Sequence, residues 1–357
     1  MSSTDSIATR WRRALSFRNI SAIYIFIVIF ATFSIVTPET FLQEGVWRTL
    51  LDAQAITVIA AIGVMIPLTT GSFNLAIGAE IGFAGILVAV LQVKQDMPFI
   101  VAISLTLLAG AFIGLVSGLI ITKGRIDSFV ATLGLSSILL AGLAWMSSSK
   151  QVIGLQDGFR EIATSTYFGI TVPTYLMVVL ALVVWYVLER TPVGRRMYAA
   201  GYNPAGARLA GVNVVVLRIS ALVAGGIIAA MAGVLLTSRL NTGEPTVGPG
   251  LLLPALTAVF LGSTQLAGGR FNVWGTVLAV YVLATGIKGL QLVGAQPWIS
   301  DLFNGVALLS AVGLSQWEKT AARTAAVRRA LPFTRQGDDT EPPAEPGDRS
   351  PSVVAHR

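Results

Sequence analysis

The chain has 357 residues, of which 54% are hydrophobic and 12% charged, with a formal net charge of +7. Soluble domains carry about 25% charged residues, whereas the apolar runs here repeatedly reach the roughly 20 residues needed to cross a bilayer, so a polytopic membrane protein is expected. There is no cysteine and one histidine, His356, which excludes disulfides, thiolate nucleophiles and Cys- or His-based metal sites, and the positive charge reads as membrane orientation rather than affinity for nucleic acid.

Residues 1–19 are polar and hold Arg10, Arg12, Arg13 and Arg18. No small-residue cleavage site follows a short apolar core, so they read as a retained cytoplasmic segment and not a signal peptide. Ten apolar spans follow, at 20–36, 51–69, 74–93, 98–121, 127–147, 171–188, 214–237, 251–262, 273–293 and 299–316; the eighth is short for a crossing. Ten crossings put both termini on one side. Nineteen lysines and arginines fall on that side and five on the other, with Lys288 inside a span. The richer face is therefore the cytoplasm. The expected fold is all-α, with a transmembrane domain at 20–316 and a central cytoplasmic loop at 190–213. From 317 to 357, Pro, Asp, Glu, Arg and Ser dominate without a periodic apolar face, which predicts a disordered cytoplasmic tail.

Two stretches break the apolar pattern, TTGSFNLAIG at 69–78 and NTGEPTVGPG at 241–250. Lipid cannot satisfy the backbone of a broken helix, so such segments are buried or line a polar cavity, where transporters hold substrate. The breaks lie five spans apart, which reverses the direction of crossing and predicts an inverted repeat of spans two to five and seven to ten. A competing likeness between GSFNLAIG and GSTQLAGG would give another offset, and ordinary tight loops are the simpler alternative. Glu80 lies six residues beyond Asn74, about 9 Å along a helix. An acid at that depth is costly and marks a functional candidate, or else an acid paired with Lys288 or a backbone group. Asn74, Glu80 and Thr246 form the candidate substrate path.

The central loop TPVGRRMYAAGYNPAGARLAGVN has its own helix signals. Asn203 is a good N-cap, Pro204 suits the first helical position, and Gly211 can close the helix in a left-handed conformation. The enclosed residues Ala205, Gly206, Ala207, Arg208, Leu209 and Ala210 are small apart from Arg208 and Leu209. The loop is either a solvated connector or a surface that a partner touches. No GxxxxGK[ST], HExxH or GxSxG occurs, so nucleotide hydrolysis, zinc-protease chemistry and a serine-hydrolase elbow are not expected of this chain. No catalytic residue, metal or cofactor is predicted, and Glu80 and Lys288 alone give little basis for a proton relay.

Five segments carry a family likeness. TTGSFNLAIGAEIG resembles the GG-I-D-L-S-V-G segment of permease subunits of ribose-type ABC importers, and GRIDSFVATLGLSSILLAGLAW resembles the P-F-I-A-T-L-G segment after it. TPVGRRMYAAGYNPAGARLAGVNV, RLNTGEPTVGPG and LGSTQLAGGRFNVWGT resemble the later loops of that family, in order, over about 51–317. Asn74 stands where many members have Asp, Ala76 where many have Ser, and Phe271 where Gly is usual. The resemblance implies a transport subunit of the bacterial plasma membrane that forms half of a monosaccharide path with a second copy or a paralogue. It also implies a separate cytoplasmic ATPase and an extracellular sugar-binding protein as partners. It makes Asn203 to Gly211 the helix that docks on the ATPase. A permease for a nucleoside or branched-chain amino acid, or a stand-alone secondary transporter, are the alternatives.

Overall fold

Among the described residues of the computed structural model, 21–265 and 270–313, a helix occupies each of the ten predicted spans. The predicted segments 1–19 and 317–357 lie outside the described residues. The first nine span helices are Ser21–Val36, Glu44–Thr69, Ile77–Val93, Phe99–Thr122, Ser128–Ser147, Val172–Arg190, Val214–Leu240, Leu252–Gln265 and Val273–Leu292, and the tenth is Trp298–Gly313. Spans two, four, five, six, seven and nine are long and apolar enough to cross a membrane; the other four are shorter apolar helices. The chain is an all-α polytopic membrane protein, with one two-residue hairpin pairing Thr166 with Thr171 and Tyr167 with Ile170.

The boundaries differ from the hydropathy reading in three ways. Span two starts at Glu44 rather than 51, because a polar first turn continues the helix before the apolar run begins. Span three starts at Ile77 rather than 74, since the break runs through Ala76. A short outer helix, Asp157–Thr164, has too few apolar residues to show as a span. It is pinned because Ser238 Oγ accepts from Ala163 N at 3.1 Å and donates to Phe159 O at 2.6 Å.

The core lies along spans two, three and seven, which carry the largest runs of buried residues. Spans four, five and six turn large apolar side chains outward, among them Phe112, Ile138 and Val183, as helices facing lipid or a second membrane chain would. Span seven meets span four through glycine. A Cβ at Gly110 would sit 2.5 Å from Gly226 O, and one at Gly114 would strike Leu222 O. Small residues allow this backbone approach, which supplies the van der Waals packing that holds membrane helices together.

Span seven packs on spans three and four, as span two packs on spans eight and nine, and span three packs on four as eight packs on nine. These are the pairings an inverted repeat at an offset of five spans requires. Loops assigned by charge to the same face also meet one another. Val152 and Gly243 exchange backbone hydrogen bonds at 2.9 Å, while at the opposite end Gly201 lies against Thr69 O.

Candidate functional site: an inner platform and two membrane breaks

The platform follows span six on the face that charge assigns to the cytoplasm. It consists of the helices Pro192–Tyr202 and Pro204–Leu209. Thr191 Oγ1 accepts from Gly194 N at 3.4 Å to cap the first. Asn203 Oδ1 accepts from Gly206 N at 2.9 Å to cap the second, which satisfies a backbone donor that has no partner inside the helix. Gly206 leaves room for the capping side chain, since a Cβ would lie 2.9 Å from Asn203 Nδ2. Gly211 has φ +78° and ends the turn in the left-handed region, as its type predicts. The first of the two helices was not expected, because it is amphipathic and interrupted by glycine.

Side chains on this second helix divide by face. Ala207 is buried and packs inward with Ala200 and Val214, so it supports the platform rather than meeting a partner. Ala205, Arg208 and Ala210 are exposed, and Leu209 is 92% exposed. Leu209, inside the segment that the resemblance marks for docking, is thus a large apolar side chain held out on a capped helix.

The platform is fastened to both halves of the bundle. On one side Gly201 approaches the end of span two so closely that a Cβ would overlap Thr69 O. On the other, Tyr198 Oη donates to Phe271 O at 2.7 Å. The Arg270 guanidinium lies 3.8 Å from the Tyr198 ring centroid and pairs with Glu189 at 3.0 Å. Burial raises the Tyr198 hydroxyl pKa, which keeps it a donor. Arg270 and Glu189 are far apart in sequence, so only the fold reveals this clamp.

The inner break is closed by span five. Ser128 Oγ accepts from Phe73 N at 3.2 Å and Thr132 Oγ1 accepts from Leu75 N at 3.1 Å, which supplies the partners that lipid cannot. Asn74 Nδ2 donates to both Glu80 oxygens, at 3.2 and 3.3 Å, while its Oδ1 accepts from Ala76 N at 3.0 Å. Asn74 and Glu80 are 1% and 2% exposed. The structure therefore brings these two predicted path residues together and seals them. Glu80 is not paired with Lys288 among the described residues.

Thr246 is placed differently. It is exposed and its Oγ1 donates to Glu244 at 2.8 Å. Gln151 Nε2 donates to the same carboxylate. Beyond Thr246 the Val247–Gly250 turn enters against span three. A Cβ at Gly78 would sit 3.0 Å from Pro249 O, and one at Gly248 would overlap the Gly82 backbone. The two breaks thus meet through glycine, on either side of Glu80 in the sequence.

Two breaks meeting inside a helical bundle, with a capped platform at one end, define a multi-pass membrane permease. The chain belongs to the family described as the branched-chain amino acid transport system / permease component, whose model matches residues 48–312. It is 30% identical over 291 residues to the ribose import permease protein of Haemophilus influenzae, covering 80% of this chain and 89% of that protein. It is 33% identical over 285 residues to the ribose import permease protein of Bacillus subtilis, covering 79% and 88%. It is 28% identical over 302 residues to the L-arabinose ABC transporter permease protein of Azospirillum brasilense, covering 84% and 88%. No solved structure matches.

Proposed function

We propose that this chain is the membrane-spanning subunit of an ATP-driven importer of a monosaccharide. Its domains are the cytoplasmic segment 1–19, the transmembrane permease 20–316 and the cytoplasmic tail 317–357. Both termini face the cytoplasm of a bacterial inner membrane. A second permease copy or a paralogue completes the path, a binding protein outside the cell delivers the sugar, and a separate cytoplasmic chain hydrolyses ATP. The sugar is read from the relatives, which carry ribose or L-arabinose in their names.

The observation that carries the coupling role is the mounting of Leu209, 92% exposed, on a short helix seated through Ala207 on Ala200 and Val214, beside the platform helix Pro192–Tyr202 that is fastened to both halves of the bundle. Asn203, Pro204, Gly206 and Gly211 shape that helix; Ala207 seats it; Ala205, Arg208, Leu209 and Ala210 face the ATPase. An ATPase that moves the platform then moves span two through Gly201 and the start of span nine through Tyr198. Asn74 and Glu80 brace the inner gate of the path, and Thr246 sits at its outer entrance.

Uptake of labelled ribose, L-arabinose and leucine, compared between cells with and without the gene, tests the reading. ATP-dependent uptake of a sugar that disappears on deletion is expected. Gene-dependent leucine uptake without sugar uptake would favour an amino-acid permease. Uptake that survives ATP depletion and follows an ion gradient would mark a stand-alone transporter.

A further inference from the structure

At the end of the bundle opposite the platform, spans two, eight, nine and ten enclose a cavity of about 350 Å³. That volume lies near the lower end of the roughly 300–1,000 Å³ typical of small-molecule sites. Its polar lining is Thr49, Gln54, Thr57, Lys288, Gln291 and Asn304, set among apolar residues that include Leu251 and Leu283. Thr49 is exposed and Thr57 is buried. Eight residues of helix separate them, so the cavity runs about 12 Å inward along span two.

Three of these groups are unspent. Asn304 is 5% exposed, and its Oδ1 is buried with no hydrogen-bond partner among the described residues. Lys288 has no ion-pair partner among the described residues, and neither amide atom of Gln54 is engaged there. A buried acceptor without a donor is destabilising, and in native proteins it calls for a specific cause. The lining offers donors from Lys288 and the amides and acceptors from Asn304, Gln54 and the threonines. Hydroxyl groups, which donate and accept at once, match that set.

We propose that this cavity is a recognition site for the hydroxyl groups of a monosaccharide, with Asn304, Gln54 and Lys288 as the residues that hold the sugar. It receives the solute at the outer end before the breaks admit it further. The inference rests on the monosaccharide reading above. It places the specificity-determining contacts on spans two, nine and ten rather than on the sealed Asn74–Glu80 pair. Thr246, at the outer entrance, is then not the point of recognition.

The test uses cells whose chromosomal copy carries Asn304→Leu or Gln54→Leu, with ribose and L-arabinose as probes. Loss of a hydrogen bond to a substrate hydroxyl raises KM, here by about tenfold or more for Asn304→Leu, with normal membrane abundance. Replacing an unpartnered buried acceptor by an apolar side chain leaves the melting temperature of the purified chain equal or higher, an outcome a purely structural role forbids. Because the chain has no cysteine, Gln291→Cys is a single probe at the rim. Saturating sugar is expected to slow its reaction with an impermeant maleimide. An unchanged KM, a lost melting transition that accounts for lost uptake, or absence of protection by sugar overturns the proposal. If the wild type carries neither sugar, nor the fructose or D-allose for which other relatives are named, the monosaccharide reading fails and this inference falls with it. If the wild type carries sugar and both variants are silent, the inference alone fails.

Discussion

The two breaks look alike in sequence, yet their polar side chains are placed differently. Each opens with Thr-Gly, at Thr70-Gly71 and Thr242-Gly243, and continues into glycine. In the inner one the polar side chains are shut in: Ser72, Asn74 and Glu80 are at most 2% exposed, while Phe73 is 37% exposed, and hydroxyls of span five accept from the Phe73 and Leu75 backbone. At the outer break Thr246 is exposed, and Thr242 and Gly243 bond to the Val152 backbone of a neighbouring loop. Glycine and proline decide where a helix stops. The element packed against the stop decides whether it becomes a closed brace or an open mouth.

The largest effect should come from the point where the breaks meet. Gly248→Val would drive a side chain into the Gly82 backbone. Overpacking costs about 1–3 kcal/mol or more, and no flexible side chain can yield there. Strongly reduced membrane abundance is expected on immunoblots; normal abundance and uptake would show that the two breaks need not touch.

Asn74→Leu should come next. It leaves the Glu80 carboxyl without its Asn74 donor, a loss of about 1–3 kcal/mol for a buried polar group, seen as a lower melting temperature in detergent. Thr246→Val should be smallest, within about 0.5 kcal/mol, as for a surface substitution. It should also alter acid behaviour. Donation from Thr246 is the main cause that lowers the Glu244 pKa. A lowered folded-state pKa contributes stability above the ordinary carboxyl range that disappears as pH falls through the folded value. Thr246→Val should therefore flatten the acid limb of a melting-temperature profile slightly. Equal effects from Asn74→Leu and Thr246→Val would erase the distinction between the sealed and the open break.

The bundle was legible because lipid demands long apolar runs, and each of the ten runs holds a helix. The Asn203 cap, Pro204 and Gly211 were legible because capping is local chemistry. The inward face of Ala207 was not, since alanine serves equally in a core and at an interface. The helices Asp157–Thr164 and Pro192–Tyr202 were missed because short amphipathic segments carry little hydropathy. The Arg270 contacts with Glu189 and Tyr198 join residues more than 70 positions apart, beyond the reach of any spacing rule. Glu80 was recognised as a costly buried acid, yet its partner is the neighbouring Asn74 rather than the distant Lys288.

Leu209→Asp asks whether the platform transmits the work of an ATPase. The side chain is 92% exposed, so a charge there should leave insertion and melting unchanged. In a protein interface it forfeits the burial of a leucine side chain, worth about 1.5–3 kcal/mol. Normal membrane abundance, copurification of the partner ATPase reduced about tenfold or more, and lost ATP-dependent uptake are expected. Full uptake with undiminished copurification would contradict that coupling and reduce the platform to a solvated connector.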